Sequence, residues 1–348
     1  MIIHDKFAGG NILHERTEGN TVYLKNQLRD TPKDWFYWAF CAEGFAGREI
    51  TFCFEQANRI GWWGPAVSYD LVNWHWLNQA DGESFTYKFA DDENKVYFAH
   101  NMLYHPNRFE KLAKELSLPV TEFCTSRKGR SVPCVKMGNG TKSVIFTARH
   151  HACEATGSYV MEGIFKELCN SPIEDTSVLF VPFVDYDGAF DGDQGKGRAP
   201  HDHNRDYDDI SIYPETTAIK AYAEENGCNF GFDLHSPWHK GDEHDFVFLV
   251  RNSAEKIARF DRLSSLFEAE ITPESMKYSG KNDIPPDTLW NIPSKNFART
   301  MMKRPECDIA LTLETTYFGK EDNKTSQAKL IELGRCYARA IRRYITEN

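Results

Sequence analysis

The sequence is short of positive charge. Its 348 residues include 41 lysines and arginines against 51 aspartates and glutamates, which gives a net charge of −10. A protein that binds nucleic acid normally carries a basic face or stripe. We therefore expect no nucleic-acid partner. An acidic substrate would have to be attracted by local arginines, because the overall field opposes its approach.

Long hydrophobic runs and paired-cysteine motifs are also missing. No apolar run approaches the ~18 residues of a membrane span, and the first residues lack the basic start and apolar core of a secretory signal. The nine cysteines are an odd number and include no Cys-x-x-Cys pair, so no disulfide framework is indicated. These absences predict a reduced, cytoplasmic protein with no membrane partner.

Two patterns divide the chain near Tyr104. Residues 1–105 contain short runs that alternate apolar and polar side chains between turn clusters, which predicts an antiparallel β-sandwich domain. Residues 106–348 alternate apolar strands with helical periodicity, which predicts an α/β/α sandwich domain around a mixed sheet. Within it, residues 135–146 are expected to form a hairpin around Gly138. The predicted fold class is therefore α/β, with two domains.

A histidine and a glutamate stand three residues apart where a predicted strand gives way to a helix. His151 and Glu154 follow the apolar run 144–146 and can direct an imidazole and a carboxylate toward one ion. Zn²⁺ takes such ligands at about 2.0–2.2 Å, and a catalytic site needs a third protein ligand. His235 ends the apolar strand 229–234, at the edge where such sheets build their sites. We predict one zinc ion per chain on these three residues.

Other polar residues could complete a hydrolytic site. Glu314 lies in the apolar run 309–317, where an unpaired buried carboxylate is costly. It either pairs with an arginine or serves as a general base in a cleft beside the metal. Asp202 is a candidate for the carboxylate that accepts a hydrogen bond from a metal-bound histidine.

The adjacent pair Asn204 and Arg205 could hold a carboxylate through bidentate hydrogen bonds. The alternative is that residues 201–209 form a solvated acidic loop, or that His201 and His203 bind a metal themselves. Another polar cluster, formed by His239, Asp242 and His244, is interpreted as a loop near the cleft.

The order of these motifs resembles that of the funnelin zinc carboxypeptidases, the carboxypeptidase A clan. The motifs are His151-x-x-Glu154, Asp202-x-Asn204-Arg205, His235 and Thr312-Leu-Glu314. The match looks closest to the cytosolic carboxypeptidase branch, which includes tubulin deglutamylases and places a β-sandwich before the catalytic domain. Further matches, which extend the resemblance over essentially the whole chain, are Phe36-Tyr-Trp-Ala-Phe40, Ser68-Tyr-Asp70 and Asp185-Tyr-Asp-Gly188.

The resemblance implies a role for each matched residue. Glu314 would be the general base and then the proton donor, while Asn204 and Arg205 would hold the terminal carboxylate of the substrate. His151, Glu154 and His235 would bind zinc. An arginine that precedes the Asn-Arg pair would stabilise the oxyanion. Arg198 is the nearest candidate for that role, and Lys196 is the alternative.

Two departures from the family pattern stand near the expected site. The usual His-Pro-Gly-Glu is His-Ala-Cys-Glu in this chain, which puts Cys153 beside the metal as an inert thiol, an extra ligand or a point of oxidation. Classical members have a mobile tyrosine about twenty residues before the general base. The corresponding run here, Leu-Trp-Asn-Ile at 289–292, contains no tyrosine, and Tyr278 lies too early in the chain to take its place.

Arg299 occupies the position that lines the pocket for the departing side chain in this clan. An arginine there would favour a C-terminal Glu or Asp through a charge-assisted hydrogen bond, worth roughly 1.5–3 kcal/mol. The alternative is an arginine on the surface of a helix.

The sequence thus predicts a cytoplasmic zinc metallocarboxypeptidase that removes C-terminal residues from peptides or proteins with a free C-terminus, and acidic residues in particular if Arg299 lines the pocket. The nearest alternative is a zinc amidase or deacylase on the same scaffold, for example one that cleaves γ-D-glutamyl cell-wall peptides. Two further alternatives are a non-catalytic binding protein and a hydrolase with Cys153 as its nucleophile.

Overall fold

A computed structural model describes residues 1–79 and 82–347. In this part of the chain, sixteen strands form three sheets, and seven α-helices accompany them. None of the described helices is both long enough and apolar enough to span a membrane. The fold is mixed α/β, and the largest sheet is formed by strands between residues 120 and 315.

The first nine strands form two sheets that pack face to face. The five-stranded sheet has the order β1-β4-β9-β6-β7, and the four-stranded sheet has the order β2-β3-β5-β8. Period-two alternation puts Ile50, Phe52 and Phe54 of β5 on the inner face. The strands are β1 Ile2–His4, β2 Leu13–Glu18, β3 Thr21–Lys25, β4 Ala39–Glu43, β5 Glu49–Phe54, β6 Ala66–Ser68, β7 His75–Trp76, β8 Ser84–Lys88 and β9 Lys95–Ala99.

The pairing in these two sheets departs from the prediction at one place. All described pairs are antiparallel except β3 with β5, which run parallel, with Val22 opposite Phe52. Parallel neighbours need a crossover connection, and the chain makes it by passing through β4 of the other sheet.

The third sheet is mixed and has seven strands in the order β10-β11-β13-β12-β14-β16-β15. Its central strands β13, β12, β14 and β16 run parallel, and buried parallel strands read as continuous apolar runs. The strands are β10 Val120–Thr125, β11 Ser131–Gly138, β12 Lys142–Ala148, β13 Thr176–Val181, β14 Phe230–His235, β15 Val247–Val250 and β16 Ile309–Thr315.

The predicted hairpin over residues 135–146 is wrong. Strands β11 and β12 are not neighbours, because β13 lies between them, antiparallel to β11 and parallel to β12. The connection at Gly138 to Gly140 packs tightly against the entry to β13. A Cβ on Gly140 would come within 1.9 Å of the Asp175 carbonyl carbon.

Helix α2 begins directly after the candidate metal ligands and is fixed by close packing. At its crossing with α7, a Cβ on Gly163 would come within 1.9 Å of the Ile331 oxygen, and Gly334 makes the reciprocal approach to α2. The helices are α1 Pro106–Glu115, α2 Thr156–Asn170, α3 Tyr186–Asp191, α4 Pro214–Asn226, α5 Ile257–Glu270, α6 Phe297–Met302 and α7 Gln327–Thr346.

The hydrophobic core continues from the first sheets into the large one. Phe36 and Tyr97 belong to the same buried cluster as Phe146 and Leu313. The boundary between residues 105 and 106 remains a prediction about domains. What the packing adds is a buried hydrophobic cluster that the two regions share.

Candidate active site

The predicted metal ligands meet at the carboxyl edge of the large sheet. His151 and Glu154 follow β12, and His235 is the last residue of β14, its parallel neighbour. The His151 and His235 Nδ1 atoms each lie 2.7 Å from one oxygen of the Glu154 carboxylate. All three side chains are buried, and their ligand atoms lie within 4.8 Å of one another.

The charges in this cluster suit a divalent cation. Burial alone would raise the pKa of Glu154, but His151, Lys196 and His235 outweigh burial and hold it well below its usual range. Two imidazole nitrogens and an ionised carboxylate are the donor set that zinc prefers. These residues therefore fit a zinc ion and would hold it between them.

A second layer of buried polar groups orients His235. Its Nε2 lies 2.8 Å from Asp233 Oδ2, while Asp233 Oδ1 lies 2.8 Å from His150 Nδ1 and accepts from the Thr147 hydroxyl at 2.8 Å. The chain of contacts ends at Tyr207, whose hydroxyl is 2.6 Å from His150 Nε2. Ligating histidines commonly use such carboxylate partners.

Asp233 was not among the residues predicted from the sequence. The signal that could have revealed it is its place two residues before His235 in an apolar strand, because residues i and i+2 share a face. Burial opposes ionisation of Asp233, but His150 and His235 outweigh it and hold the pKa of the carboxyl below its usual range.

Asp202, the predicted partner of His151, lies beside it at a longer distance. Its Oδ1 is 3.7 Å from His151 Nε2, and its Oδ2 accepts a hydrogen bond from the Gly197 amide at 2.7 Å. The structure thus brings Asp202 to the predicted histidine without a direct hydrogen bond.

Glu314 lies on β16 in register with His235 and lines the same cavity. Among the described residues, no arginine or lysine nitrogen lies within 4.0 Å of its carboxylate, so the arginine-pairing alternative receives no support. Burial raises the pKa of Glu314 to about 7, with Glu154 adding to the effect and His235 opposing it. A carboxyl group poised near neutrality suits proton transfer in both directions.

The cavity beside these residues has a volume of about 290 Å³. Asn204 and Arg205 line one part of it, and the Asn204 Oδ1 atom is buried without a hydrogen-bond partner. Trp35 from the N-terminal region and Trp238 form an aromatic wall, with ring centroids 4.6 Å apart. Further lining residues are Val250, Trp290, Asn291, Ile292, Ser294, Asn296 and Thr312.

Arg198 does not line this cavity, contrary to the role considered for it. Its guanidinium is bound to Asp30 at 3.1 Å, Asp185 at 2.6 Å and Asp193 at 2.9 Å, in a separate charged recess. The backbone turns through positive φ at Gly195 and at Gly197, so nearby side chains leave this segment in different directions.

Lys196, the alternative cation, is the one that reaches the site. Its Nζ lies 3.1 Å from His151 Nδ1 and 3.2 Å from Glu154 Oε1. Burial alone would lower the pKa of Lys196, but Glu154, Glu314 and Asp202 outweigh it and raise the pKa. The ammonium group is therefore a fixed positive charge beside the candidate ligands.

Arg299 also falls outside the cavity lining. It lies on α6, and its NH2 group donates to Asn291 Oδ1 at 2.9 Å and to the Asn291 carbonyl at 3.1 Å. Its structural effect is to anchor the segment around Asn291, which itself lines the cavity. The predicted direct contact with an acidic side chain therefore has no geometric support.

Cys153 and Tyr278 are both buried, and neither lines the cavity. The Cys153 sulfur lies 3.8 Å from the Tyr317 hydroxyl, and burial raises the pKa of its thiol to about 12. Tyr278 stacks on Phe267 and donates to Asp283 at 3.0 Å.

Three other histidines of the polar clusters noted in the sequence have partners of their own. His201 bonds to Asp206 at 2.7 Å, and His203 stacks on Tyr213 at 3.7 Å. His239 bonds to His100 at 2.8 Å.

Comparison with known proteins confirms the resemblance seen in the motifs. No protein-family model matches the sequence. An uncharacterised protein of Zymomonas mobilis is 24% identical over 92% of this chain and 89% of its own length. Cytosolic carboxypeptidase 2 is 22% identical over 64% of the chain in Xenopus tropicalis and 24% over 65% in human. The chain spans only 26% and 28% of the length of these two relatives.

Solved structures match the whole chain. A putative carboxypeptidase from Burkholderia mallei has a TM-score of 0.82 at 21% identity, covering 100% of this chain and 97% of that one. A metallo-carboxypeptidase from Pseudomonas aeruginosa, solved with (2-guanidinoethylmercapto)succinic acid, has a TM-score of 0.81 at 19% identity and full coverage of both. These matches confirm the predicted fold class.

Proposed function

We propose that the protein is a zinc-dependent metallocarboxypeptidase that acts on peptides or proteins with a free C-terminus. The observation that carries this proposal is the convergence of His151, Glu154 and His235 in one cavity with an unpaired Glu314. Relatives and structural neighbours that are named carboxypeptidases support it.

When bound by the three ligands, a zinc ion would supply Lewis acidity that polarises a carbonyl and acidifies water. The chain's own residues perform the proton transfers. Glu314 accepts a proton from the attacking water and then passes it to the leaving amine, for which a pKa near 7 is suited. Lys196 provides a positive charge toward the oxyanion that forms at the attacked carbonyl.

The terminal carboxylate of the substrate binds to Asn204 and Arg205. The two residues are adjacent on a 3₁₀ turn, His203–Arg205, and both face the cavity. Bidentate binding by a guanidinium would require a free carboxylate at a fixed position. This requirement would make the protein an exopeptidase.

The terminal side chain would lie against the cavity wall near Asn291, Ser294 and Asn296. These groups are polar and uncharged, and Arg299 does not reach the cavity. We therefore propose a preference for a terminal side chain that accepts hydrogen bonds, such as glutamate or glutamine, over lysine or phenylalanine. Because the Asn291 amide group already donates to backbone carbonyls, a glutamate preference would come from the Ser294 hydroxyl and the Asn296 amide group.

We place the reaction in the cytoplasm. All nine cysteines are unpaired, and six of them are buried free thiols. This pattern is consistent with a reducing compartment.

Mass spectrometry of a peptide panel tests the proposal. The zinc-loaded protein would be incubated with peptides that end in Glu, Gln, Asp, Lys or Phe, and with a γ-linked Glu substrate. Glu314→Gln is the control for a contaminating peptidase. Loss of single C-terminal residues only in the wild type supports the proposal. Turnover of the γ-linked substrate alone would favour the amidase alternative, and no turnover of any substrate would refute a peptidase.

A further inference from the structure

One segment of the catalytic region, residues 192–198, is held by side chains from the N-terminal sheets. Asp30 lies in the connection between β3 and β4 and is the central contact. Its Oδ1 accepts from the Gln194 amide at 3.0 Å, and its Oδ2 accepts from the Gly195 amide at 2.8 Å. The same Oδ2 accepts from Arg198 Nε at 3.1 Å.

The side chain of Gln194 in turn binds the backbone of the N-terminal region. Its fully buried side chain accepts from the Tyr37 amide at 3.0 Å and donates to the carbonyls of Tyr37 at 2.9 Å and Gln27 at 3.0 Å. Asn11 also donates to the Gly192 carbonyl at 2.7 Å. The backbone of the segment therefore has hydrogen-bond partners in the N-terminal region at Gly192, Gln194 and Gly195.

The segment also packs directly on the turn that carries two candidate ligands. The Cys153 amide donates to the Gln194 carbonyl at 3.3 Å. A Cβ on Gly195 would come within 2.1 Å of the Ala152 nitrogen, so only glycine allows this approach. The next residue is Lys196, whose ammonium group faces Glu154 and His151.

We propose that Asp30 is a positioning residue that acts through Lys196. It fixes the two amides that precede Lys196, so that the ammonium group stays directed at the reacting carbonyl. A lysine side chain has about 2 kcal/mol of rotamer entropy, so a mobile backbone beneath it would leave the charge poorly placed. Asp30 itself touches no substrate, and the proposal rests on the proposed function.

The test compares Asp30→Asn with a matched control, Asp193→Asn. The Asp30 change keeps the size of the side chain but replaces one acceptor oxygen by a donor, which cannot accept from the Gly195 amide. Asp193 belongs to the same ion-pair network through Arg29 and Arg198, but its carboxylate accepts no backbone amide of the segment. Both variants lose an ion pair with Arg198.

Two readouts are expected to separate the variants. In Asp30→Asn, amide hydrogen exchange should rise in the peptide that covers residues 190–199, and kcat should fall roughly tenfold with KM nearly unchanged. The fall should be part of the 10²–10³-fold cost of removing an oxyanion donor. In Asp193→Asn, exchange in this peptide and kcat should both stay close to the wild type.

A double-mutant cycle makes the test specific for Lys196. If Asp30 acts through Lys196, Asp30→Asn should have no further effect on kcat in a Lys196→Met background. An equal fall in both backgrounds, or a kcat within twofold of the wild type, would overturn the positioning role. If Asp30→Asn does not fold, Asp30→Ser keeps one short acceptor and repeats the measurement. A wild type without peptidase activity would instead remove the proposed function and this role together.

Discussion

Asp233 offers the sharpest test of how this cluster would hold a metal. Its carboxylate faces His235, His150 and the Thr147 hydroxyl, all at 2.8 Å, and it is fully buried. In Asp233→Asn, one of the two oxygens becomes an amide nitrogen. That nitrogen cannot accept, so either His235 or His150 loses its acceptor or must change tautomer.

The expected loss of zinc affinity follows from the contact between Asp233 and His235. A histidine that keeps its Nε2–H bonded to a carboxylate presents Nδ1 to the metal in a fixed orientation and with higher basicity. Loss of such a partner typically weakens metal binding 10–100-fold. This corresponds to about 1.4–2.8 kcal/mol, since each tenfold change is about 1.4 kcal/mol. We therefore expect the zinc Kd of Asp233→Asn to rise by this factor.

Competition with a chromophoric chelator measures the zinc Kd directly. The matched control is Asp206→Asn, because Asp206 is equally buried and also bonds a histidine, His201, outside the cluster. Both variants are expected to lose folding stability, but only Asp233→Asn should lose zinc affinity. A Kd within threefold of the wild type for Asp233→Asn, or an equal loss in the control, would refute the reasoning.

Three further predictions follow from the same geometry. Glu314→Gln should lower kcat by about 10²–10⁴-fold, the usual contribution of a general base, and should leave zinc binding intact by chelator competition. Arg205→Lys should lower kcat/KM by roughly 10–150-fold, because a charged hydrogen-bond pair worth 1.5–3 kcal/mol becomes a single contact; an unchanged value would remove the carboxylate clamp. Burial, with Lys240 and Arg59, lowers the pKa of His239 from 6.5 to about 3. The unfolded chain therefore binds the proton more readily, so this contribution is complete above pH 6.5 and is lost as pH falls toward 3. In denaturant titrations, the loss of stability between pH 7 and pH 5 should be about 2 kcal/mol smaller in His239→Gln than in the wild type.

The candidate metal-ligand cluster could be predicted from the sequence because its members lie at the ends of apolar strands. Once β12, β14 and β16 are recognised as parallel, their carboxyl ends must share one edge of the sheet. His151, His235 and Glu314 then come together whatever the details of the loops. The same logic would have found Asp233, which needs only the two-residue period of a strand.

The hairpin around Gly138 was wrong for a reason that local pattern cannot reveal. A glycine turn between two apolar runs satisfies every short-range criterion for a hairpin. Here β13 comes after α2 in the sequence, but in the sheet it lies between β11 and β12 and pairs with both. Which strands become neighbours depends on how both faces of the sheet are buried, and this burial is a property of the whole domain.

The positions of Arg198 and Arg299 show that residue spacing alone does not indicate which cation faces the site. Arg198 and Arg299 were chosen because they stand near the expected distance from other motifs, but each is neutralised or bound by groups from elsewhere in the chain. Three carboxylates hold Arg198, one of them Asp30 from the N-terminal sheets, and Asn291 holds Arg299. The positive charge that faces the cluster is Lys196, two residues from Arg198 across Gly197, whose φ is +65°. Which of two neighbouring cations faces the site is thus decided by glycine-dependent backbone turns and by contacts with the N-terminal sheets. For the same reason, changes in the N-terminal region should alter the chemistry of a cavity whose candidate reactive groups all lie between residues 151 and 314.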